Sequence, residues 1–96
     1  MSWATVIETV IRATRESPRL GEGDVLVLRD GKLLLAYTEF YGGASDFSPA
    51  RIVARVSEDD GATWGEPFVL QENVGKCNVM CATLLRLRTG EIAFFY

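Results

Sequence analysis

The sequence predicts an all-β protein built from small antiparallel sheets, and three observations lead to that class. Short apolar runs with a two-residue alternation recur along the chain, which is the side-chain period of a strand. Segments rich in Gly, Asp, Ser and Pro separate these runs and mark turns. One apolar hairpin pattern occurs twice, which indicates a structural repeat.

Four consecutive strands are predicted in the first part of the chain. The first two flank an Asp30-Gly31 pair, which is the strongest short hairpin signal. The third alternates so that Ile52, Ala54 and Val56 share one face. The predicted strands are Val25–Leu28, Leu33–Tyr37, Arg51–Ser57 and Pro67–Leu70, with a further outer strand expected at Thr5–Ala13.

The second copy of the hairpin pattern indicates how these strands are organised. Residues 25–37 line up with residues 84–96, an interval of 59 residues between Gly31 and Gly90. Four strands per interval are typical of one β-propeller blade, so we expect a first blade at about 19–70 and the start of a second at about 78–96, within one domain. One and a half blades leave sheet faces and edges uncovered. We therefore expect the remaining blades to belong to the same, longer chain.

Composition excludes several classes of function. The formal net charge is -3 and no cluster of Lys or Arg is present, which argues against a nucleic-acid partner. The absence of His removes an imidazole base, and Cys77 and Cys81 match no zinc spacing, so no metal or cofactor is predicted. Both cysteines are expected to be small buried side chains.

The N-terminal segment does not have the pattern of a targeting or membrane sequence. Glu8, Thr9 and Arg12 interrupt its apolar residues, which is unlike the apolar core of a signal peptide. No window is long and apolar enough for a membrane span. We therefore expect a cytoplasmic protein without a membrane partner.

A turn motif after the third strand has a clear physical logic. Asp59 can accept hydrogen bonds from turn amides, and Gly61 permits a positive φ. Ser57 and Thr63 can bond across the turn, and Trp64 is large enough to anchor the hairpin. These five residues are predicted to be structural.

Strand direction predicts where a ligand would bind. In a four-stranded antiparallel sheet, alternate connections lie at opposite ends of the strands, so the Arg29–Lys32 turn and the 57–64 motif share one end. The longer polar segments share the other end, where propellers place their ligands. These segments are Arg15–Asp24, Glu39–Pro49 and Gln71–Asn78.

The motif Ser57-x-Asp59-x-Gly61-x-Thr63-Trp64 resembles the Asp-box, and the order of strands and loops around it resembles the sialidase superfamily over nearly the whole chain. That resemblance implies a six-bladed propeller and retaining hydrolysis of terminal sialic acids. The family uses three arginines, a Tyr/Glu nucleophile pair and an aspartate acid/base, an exception to the two-carboxylate scheme. The implied partner is a glycan or small sugar. The alternative is a non-catalytic carbohydrate-binding or scaffold propeller.

Two acidic residues are candidates for the catalytic chemistry, one from the resemblance and one from its position in the same loop. Asp46 stands shortly before the third strand, at the place of the family's acid/base aspartate, and is the candidate catalytic residue. A general acid must carry a proton, and Glu39, which enters the same loop, is a candidate neighbour that would favour this. A purely structural interpretation also exists for each residue: Asp46 could cap a turn, and Glu39 could be a solvated strand end.

The remaining candidates lie just before the first strand of each of the two hairpin copies. Arg19 is the candidate partner of a sugar carboxylate if its segment bulges, because the family's Arg-Ile-Pro motif is missing and Gly21 or Glu22 stands at its place. Glu22 and Asp24 would instead form an acidic wall that favours a neutral or cationic sugar. Asn78 is a candidate for binding sugar hydroxyls. The nucleophile and the other arginines are expected outside these residues.

Overall fold

The computed structural model describes residues 10–96, which form six β-strands and no helix within that range. The strands are β1 (Arg19–Val27), β2 (Leu33–Phe40), β3 (Ala50–Ser57), β4 (Phe68–Gln71), β5 (Thr83–Arg86) and β6 (Ile92–Phe95). The first four form an antiparallel sheet in sequential order, and β5 and β6 form a separate antiparallel pair. The predicted all-β class is confirmed. Of the expected outer strand Thr5–Ala13, residues 5–9 lie outside the described residues and residues 10–13 are not in a strand.

The first strand is longer than its apolar run predicts. β1 begins at Arg19, so the segment before Val25 is largely strand and not a loop. Its register against β2 shifts between Leu20 and Gly23, which is a β-bulge. Gly23 lies against Ala36 and Tyr37 of β2, where no side chain would fit. The bulge lets the polar stretch Arg19–Asp24 continue β1 up to the end of the sheet where the longer connections lie, which we call the loop end.

The second strand also extends further than predicted. β2 continues to Phe40, which is completely buried, so Glu39 lies inside the strand and not in the following loop. Glu39 pairs in register with Arg51 of β3, and Thr38 pairs with Ile52. Full-length pairing of β2 and β3 leaves Tyr41–Pro49 as the connecting loop. The loop between β2 and β3 is therefore shorter than the segment Glu39–Pro49 that the sequence suggests.

The main core lies on one face of the four-stranded sheet. Ala36, Ile52 and Ala54 are completely buried there, as the alternation of β3 predicts. The second sheet covers this face with Leu84 and Phe94. Burying one such apolar side chain contributes about 1.5–3 kcal/mol, so this contact supplies much of the cohesion between the two sheets.

Polar contacts hold the second sheet in place. The Asp24 carboxylate accepts a hydrogen bond of 2.8 Å from the Leu84 amide. The Arg86 guanidinium donates to the Val27 carbonyl at 2.6 Å. These two bonds join β5 to β1, so β1 and β5 are neighbours across the two sheets.

Nothing in residues 10–96 resembles a helix of the length and apolarity that a bilayer crossing requires.

Candidate functional site

An arginine and an aspartate from distant segments meet at the loop end of the first sheet. Arg19 opens β1, and the bulge behind it turns its side chain to the same face as Phe40, whose ring centroid lies 4.6 Å from the guanidinium carbon. The guanidinium is 2.6 Å from the Asp46 carboxylate and donates to the Ala44 carbonyl at 3.2 Å. The side chain of Asp46 is 73% exposed. A solvent-exposed pair contributes at most about 1 kcal/mol, so this contact mainly positions two groups.

The loop that carries Asp46 is fixed by its serines and by Asn78. The Asn78 side-chain amide donates to the carbonyl of Asp46 at 2.7 Å and to that of Ser48 at 3.0 Å. Ser45 and Ser48 bond to each other across the loop at 3.0 Å. Asn78 therefore ties the connection after β4 to the connection after β2. The amide nitrogen of Asn78 thus has a structural role in this loop, and its contact with sugar hydroxyls stays a prediction.

A second ion pair lies on the other face of the same strands. The Glu39 carboxylate, with its side chain 13% exposed, accepts from Arg51 at 2.9 Å and 3.0 Å. The Arg51 guanidinium also lies over the ring of Tyr41, 5.1 Å from its centroid. Glu39 was predicted as a companion carboxylate of Asp46. Strand alternation places it instead on the opposite face from Arg19, where its charge is matched by Arg51.

The two acidic residues of β1 have different environments. Asp24 is bound by the amides of Val25, at 2.9 Å, and of Leu84, so it joins the sheets and is not a free acidic wall. Glu22 is exposed, with one carboxylate oxygen 4.0 Å from the sulfur of Cys81. The cysteines were predicted to be buried, and this was wrong: both are exposed in the connection between β4 and β5, where Val79 and Ala82 enter the core instead.

The Asp59 turn forms the closed hydrogen-bonded unit that its residues predict. Asp59 accepts from the amide of Thr63 at 2.8 Å, from its hydroxyl at 2.5 Å and from the hydroxyl of Ser57 at 2.8 Å. Ser57 is buried and accepts from the amide of Gly61, whose φ is 89°. The hydrogen bonds from Thr63 and Ser57 lower the pKa of Asp59 to about 2.

The two short turns share the end of the sheet opposite Asp46. Lys32, after the first hairpin turn, lies 3.2 Å from Glu58 of the Asp59 turn. The hydrogen bond and charge of Glu58 raise the pKa of Lys32. This contact, together with the Arg19–Asp46 contact at the other end, confirms the predicted distribution of the connections. Trp64 packs beside this turn, and its indole Nε1 is buried without a hydrogen-bond partner among the residues that the structure describes.

Three residues at the loop end were not singled out by the sequence. Arg51 and Tyr41 form the stacked ion-pair group with Glu39, and Phe47 beside Asp46 is 79% exposed. The pairing of Arg51 with Glu39 would have followed from extending the β2–β3 hairpin by three residues. Phe47, the residue that follows Asp46, is thus an apolar side chain open to solvent at this end of the sheet.

Comparison with known proteins adds no relative. No protein-family model matches the chain. Searches of curated proteins and of solved structures give no match either. Among residues 10–96, no group of three or more His, Cys, Asp or Glu side chains is arranged to hold a metal ion.

Proposed function

We propose that this chain forms part of a six-bladed propeller that hydrolyses terminal sugars of glycans, with Asp46 as the acid/base residue. The observation that carries the proposal is the contact between Arg19 and Asp46, 2.6 Å apart although the residues belong to different segments. A guanidinium beside an exposed carboxylate supplies the two groups that a sialidase-like site needs at this end. The Asp59 turn, whose residues match the family's Asp-box throughout, supports the same family.

The proposed chemistry follows the retaining scheme. Asp46, in its acid form, gives its proton to the glycosidic oxygen as the bond from that oxygen to the sugar breaks. A nucleophile from another blade takes the sugar. Asp46, now a carboxylate, then accepts a proton from the water that releases the sugar, which restores its acid form. The 73% exposure of Asp46 leaves it reachable by a leaving group.

Arg19 has a role in substrate recognition within this proposal. In the free protein its guanidinium is paired with Asp46. A carboxylate on the substrate would compete for the same guanidinium, since arginine binds carboxylates in a bidentate geometry. Transfer of Arg19 from Asp46 to the substrate would free Asp46 to act as an acid. Phe47 would offer an apolar face for the sugar ring or its leaving group.

Turnover of aryl glycosides by the natural protein tests the proposal. Asp46→Asn should lower kcat by about 10²–10⁴-fold, because one general acid/base contributes that much. Asp30→Asn, in the turn at the opposite end of the sheet, is the matched control and should leave kcat unchanged. Comparing an aryl sialoside with an aryl hexosaminide distinguishes a carboxylated sugar from a neutral or cationic one. If Asp46→Asn turned over every aryl glycoside with the kcat of the wild type, the acid/base role of Asp46 would be refuted.

A carbohydrate-binding or scaffold propeller without catalysis is the second candidate. The observation that favours it is that Arg19 and Asp46 already satisfy each other and that Asn78 locks the loop around them. Such an arrangement can bind a sugar without changing its own contacts. Sugar binding without turnover in calorimetry, weakened similarly by Arg19→Met and Asp46→Asn, would favour this function over hydrolysis.

A further inference from the structure

A cavity of about 380 Å³ lies between the turn that joins β1 to β2 and the turn that joins β5 to β6. A volume of this size is within the range of cavities that bind small molecules. We call this space the turn cavity. The residues of its lining that carry the argument are Leu28, Arg29, Arg86, Thr89, Glu91 and Ile92.

Two arginines from different sheets meet in the turn cavity, and both lie against Gly90. The Arg86 guanidinium donates to the Gly90 carbonyl at 3.1 Å and to the Val27 carbonyl at 2.6 Å. The Arg29 guanidinium occupies the space in which a side chain at position 90 would stand. Two positively charged groups are therefore held close together around one glycine. Like charges at such short range repel each other.

No carboxylate neutralises these two guanidinium groups in the part of the chain that the structure describes. The ion pairs of residues 10–96 use Arg19, Lys32 and Arg51 instead. Glu91 also lines the cavity, but it is not among the acidic residues of these pairs. With two arginines and one glutamate, the cavity has an excess of positive charge in a chain whose formal net charge is -3. A bound anion would relieve the repulsion between the arginines.

The donors of the turn cavity suit a phosphate group. Each guanidinium presents a planar fork of N–H donors that matches the oxygens of carboxylates and phosphates. The Thr89 hydroxyl accepts a hydrogen bond of 3.4 Å from the Glu91 amide, and its own proton can be donated to a ligand. Two guanidinium groups and one hydroxyl can bind three oxygens, and a phosphate ester has three such acceptors, whereas a carboxylate has two.

We propose that the turn cavity binds the phosphate group of a small phosphorylated molecule, with Arg29, Arg86 and Thr89 as donors. Leu28 and Ile92 then provide apolar surface for the part of the molecule that carries the phosphate. The site is separate from the proposed hydrolysis, whose residues lie at the loop end. It is enclosed by two sheets that already pack on each other and opens at their turns, so further sheets on the outer faces of a propeller would leave it accessible.

Titration of the isotope-labelled natural protein with inorganic phosphate, followed by heteronuclear NMR at constant ionic strength, tests the proposal. The amide signals of Thr89 and Gly90 should shift and reach saturation. Acetate, which is the carboxylate probe, should bind about tenfold more weakly, because one charge-assisted hydrogen bond is lost. Phenyl phosphate should bind more tightly than inorganic phosphate, because its ring can contact Leu28 and Ile92. Equal affinities for the two phosphates would overturn the assignment of a phosphorylated molecule as the ligand.

Arg29→Gln and Arg88→Gln form a matched pair of variants. Arg88 has the position in the second turn that Arg29 has in the first, and the same backbone hydrogen bonds close both turns, but Arg88 does not line the cavity. Arg29→Gln should weaken phosphate binding about tenfold, and Arg88→Gln should change it by less than about twofold. Both side chains are exposed, so both variants should fold. Arg86 stays unchanged because it also joins the two sheets.

Three results would overturn the proposal. Equal weakening by the two variants would show that phosphate responds only to the general charge of the surface. Thr89 and Gly90 signals that do not shift with phosphate would show that the cavity does not bind it. Shifts confined to Ala44 and Phe47 would place the phosphate beside Arg19, at the other end of the sheet. Turnover of glycosides is not measured in this experiment, so the failure of one proposal leaves the other standing.

Discussion

Gly23 at the bulge of β1 should be intolerant of even one added carbon. A Cβ there would lie 2.9 Å from the Cβ of Tyr37 and closer still to the carbonyl oxygen of Ala36. Both neighbours are buried in β2, which is held between β1 and β3, so neither can retreat. The φ of Gly23 is not positive, so an alanine has no backbone strain of its own. The cost of Gly23→Ala is therefore the collision alone.

The expected loss follows from two opposing contributions. Forcing an extra methyl group into a packed site costs about 1–3 kcal/mol. Replacing Gly by Ala also restricts the unfolded chain, which returns about 0.4–1 kcal/mol. We expect Gly23→Ala to lower the free energy of unfolding by about 1.3 kcal/mol, the difference between the midpoints of these two ranges. In a chain of this size each kcal/mol corresponds to about 4–8 °C in Tm.

Gly21→Ala is the matched control on the same strand. Its added Cβ would lie 3.3 Å from Phe40 and Thr38 side-chain atoms, which is tight but open to small adjustment. Because Phe40 and Thr38 are also completely buried, we expect Gly21→Ala to lose stability, but less than Gly23→Ala, since its contacts are side-chain atoms at 3.3 Å and not a backbone oxygen. Urea unfolding followed by Trp fluorescence measures the free energy of unfolding of both variants. Equal stability of the two variants would show that β1 shifts freely at the bulge and would refute the reasoning.

Three further predictions address the core, the sheet contact and the turn. Ile52, completely buried, should lose about 2–5 kcal/mol on change to Ala but only about 0.5–1.5 on change to Val, by urea unfolding; equal losses would contradict its packing. Asp24→Ala should speed amide hydrogen exchange at Leu84 and not at Ala54; unchanged exchange would show that the carboxylate is dispensable. Because the folded pKa of Asp59 is lowered from 3.8 to about 2, the stability that its ionisation contributes is present above about pH 4 and is lost as pH falls towards 2. The difference between wild type and Asp59→Asn in urea midpoint should narrow across that window, and a constant difference would count against the lowered pKa.

The sequence predicted the strands wherever apolar residues alternate and turn residues follow. The Asp30-Gly31 turn, the alternation of β3 and the residues of the Asp59 turn are all local signals, and each led to the observed structure. The start of β1 and the end of β2 were missed. Both stretches are polar, and they pair only because a bulge and the buried ring of Phe40 bring them together.

The candidate site was predicted less completely for the same reason. That Arg19 could reach the loop was conditional on a bulge, and the structure contains one. Whether a carboxylate faces Asp46 or the other side of the sheet depends on a single step of strand register. Glu39 therefore lies opposite, with Arg51, and Asp24 bonds to Leu84, a residue 60 positions away in the chain.

The hydrogen bonds of the Asp59 turn join residues no more than four positions apart. Loop closure over so short a distance costs little chain entropy, whereas the bond from Asp24 to Leu84 must close a long loop first. The turn should therefore be formed in the folding transition state, and the contact between the sheets should form last. In mutational analysis of folding kinetics, the ratio of the change in activation free energy to the change in stability should be near 1 at Asp59 and near 0 at Leu84. A mutation in the turn would then slow folding, and one between the sheets would mainly accelerate unfolding.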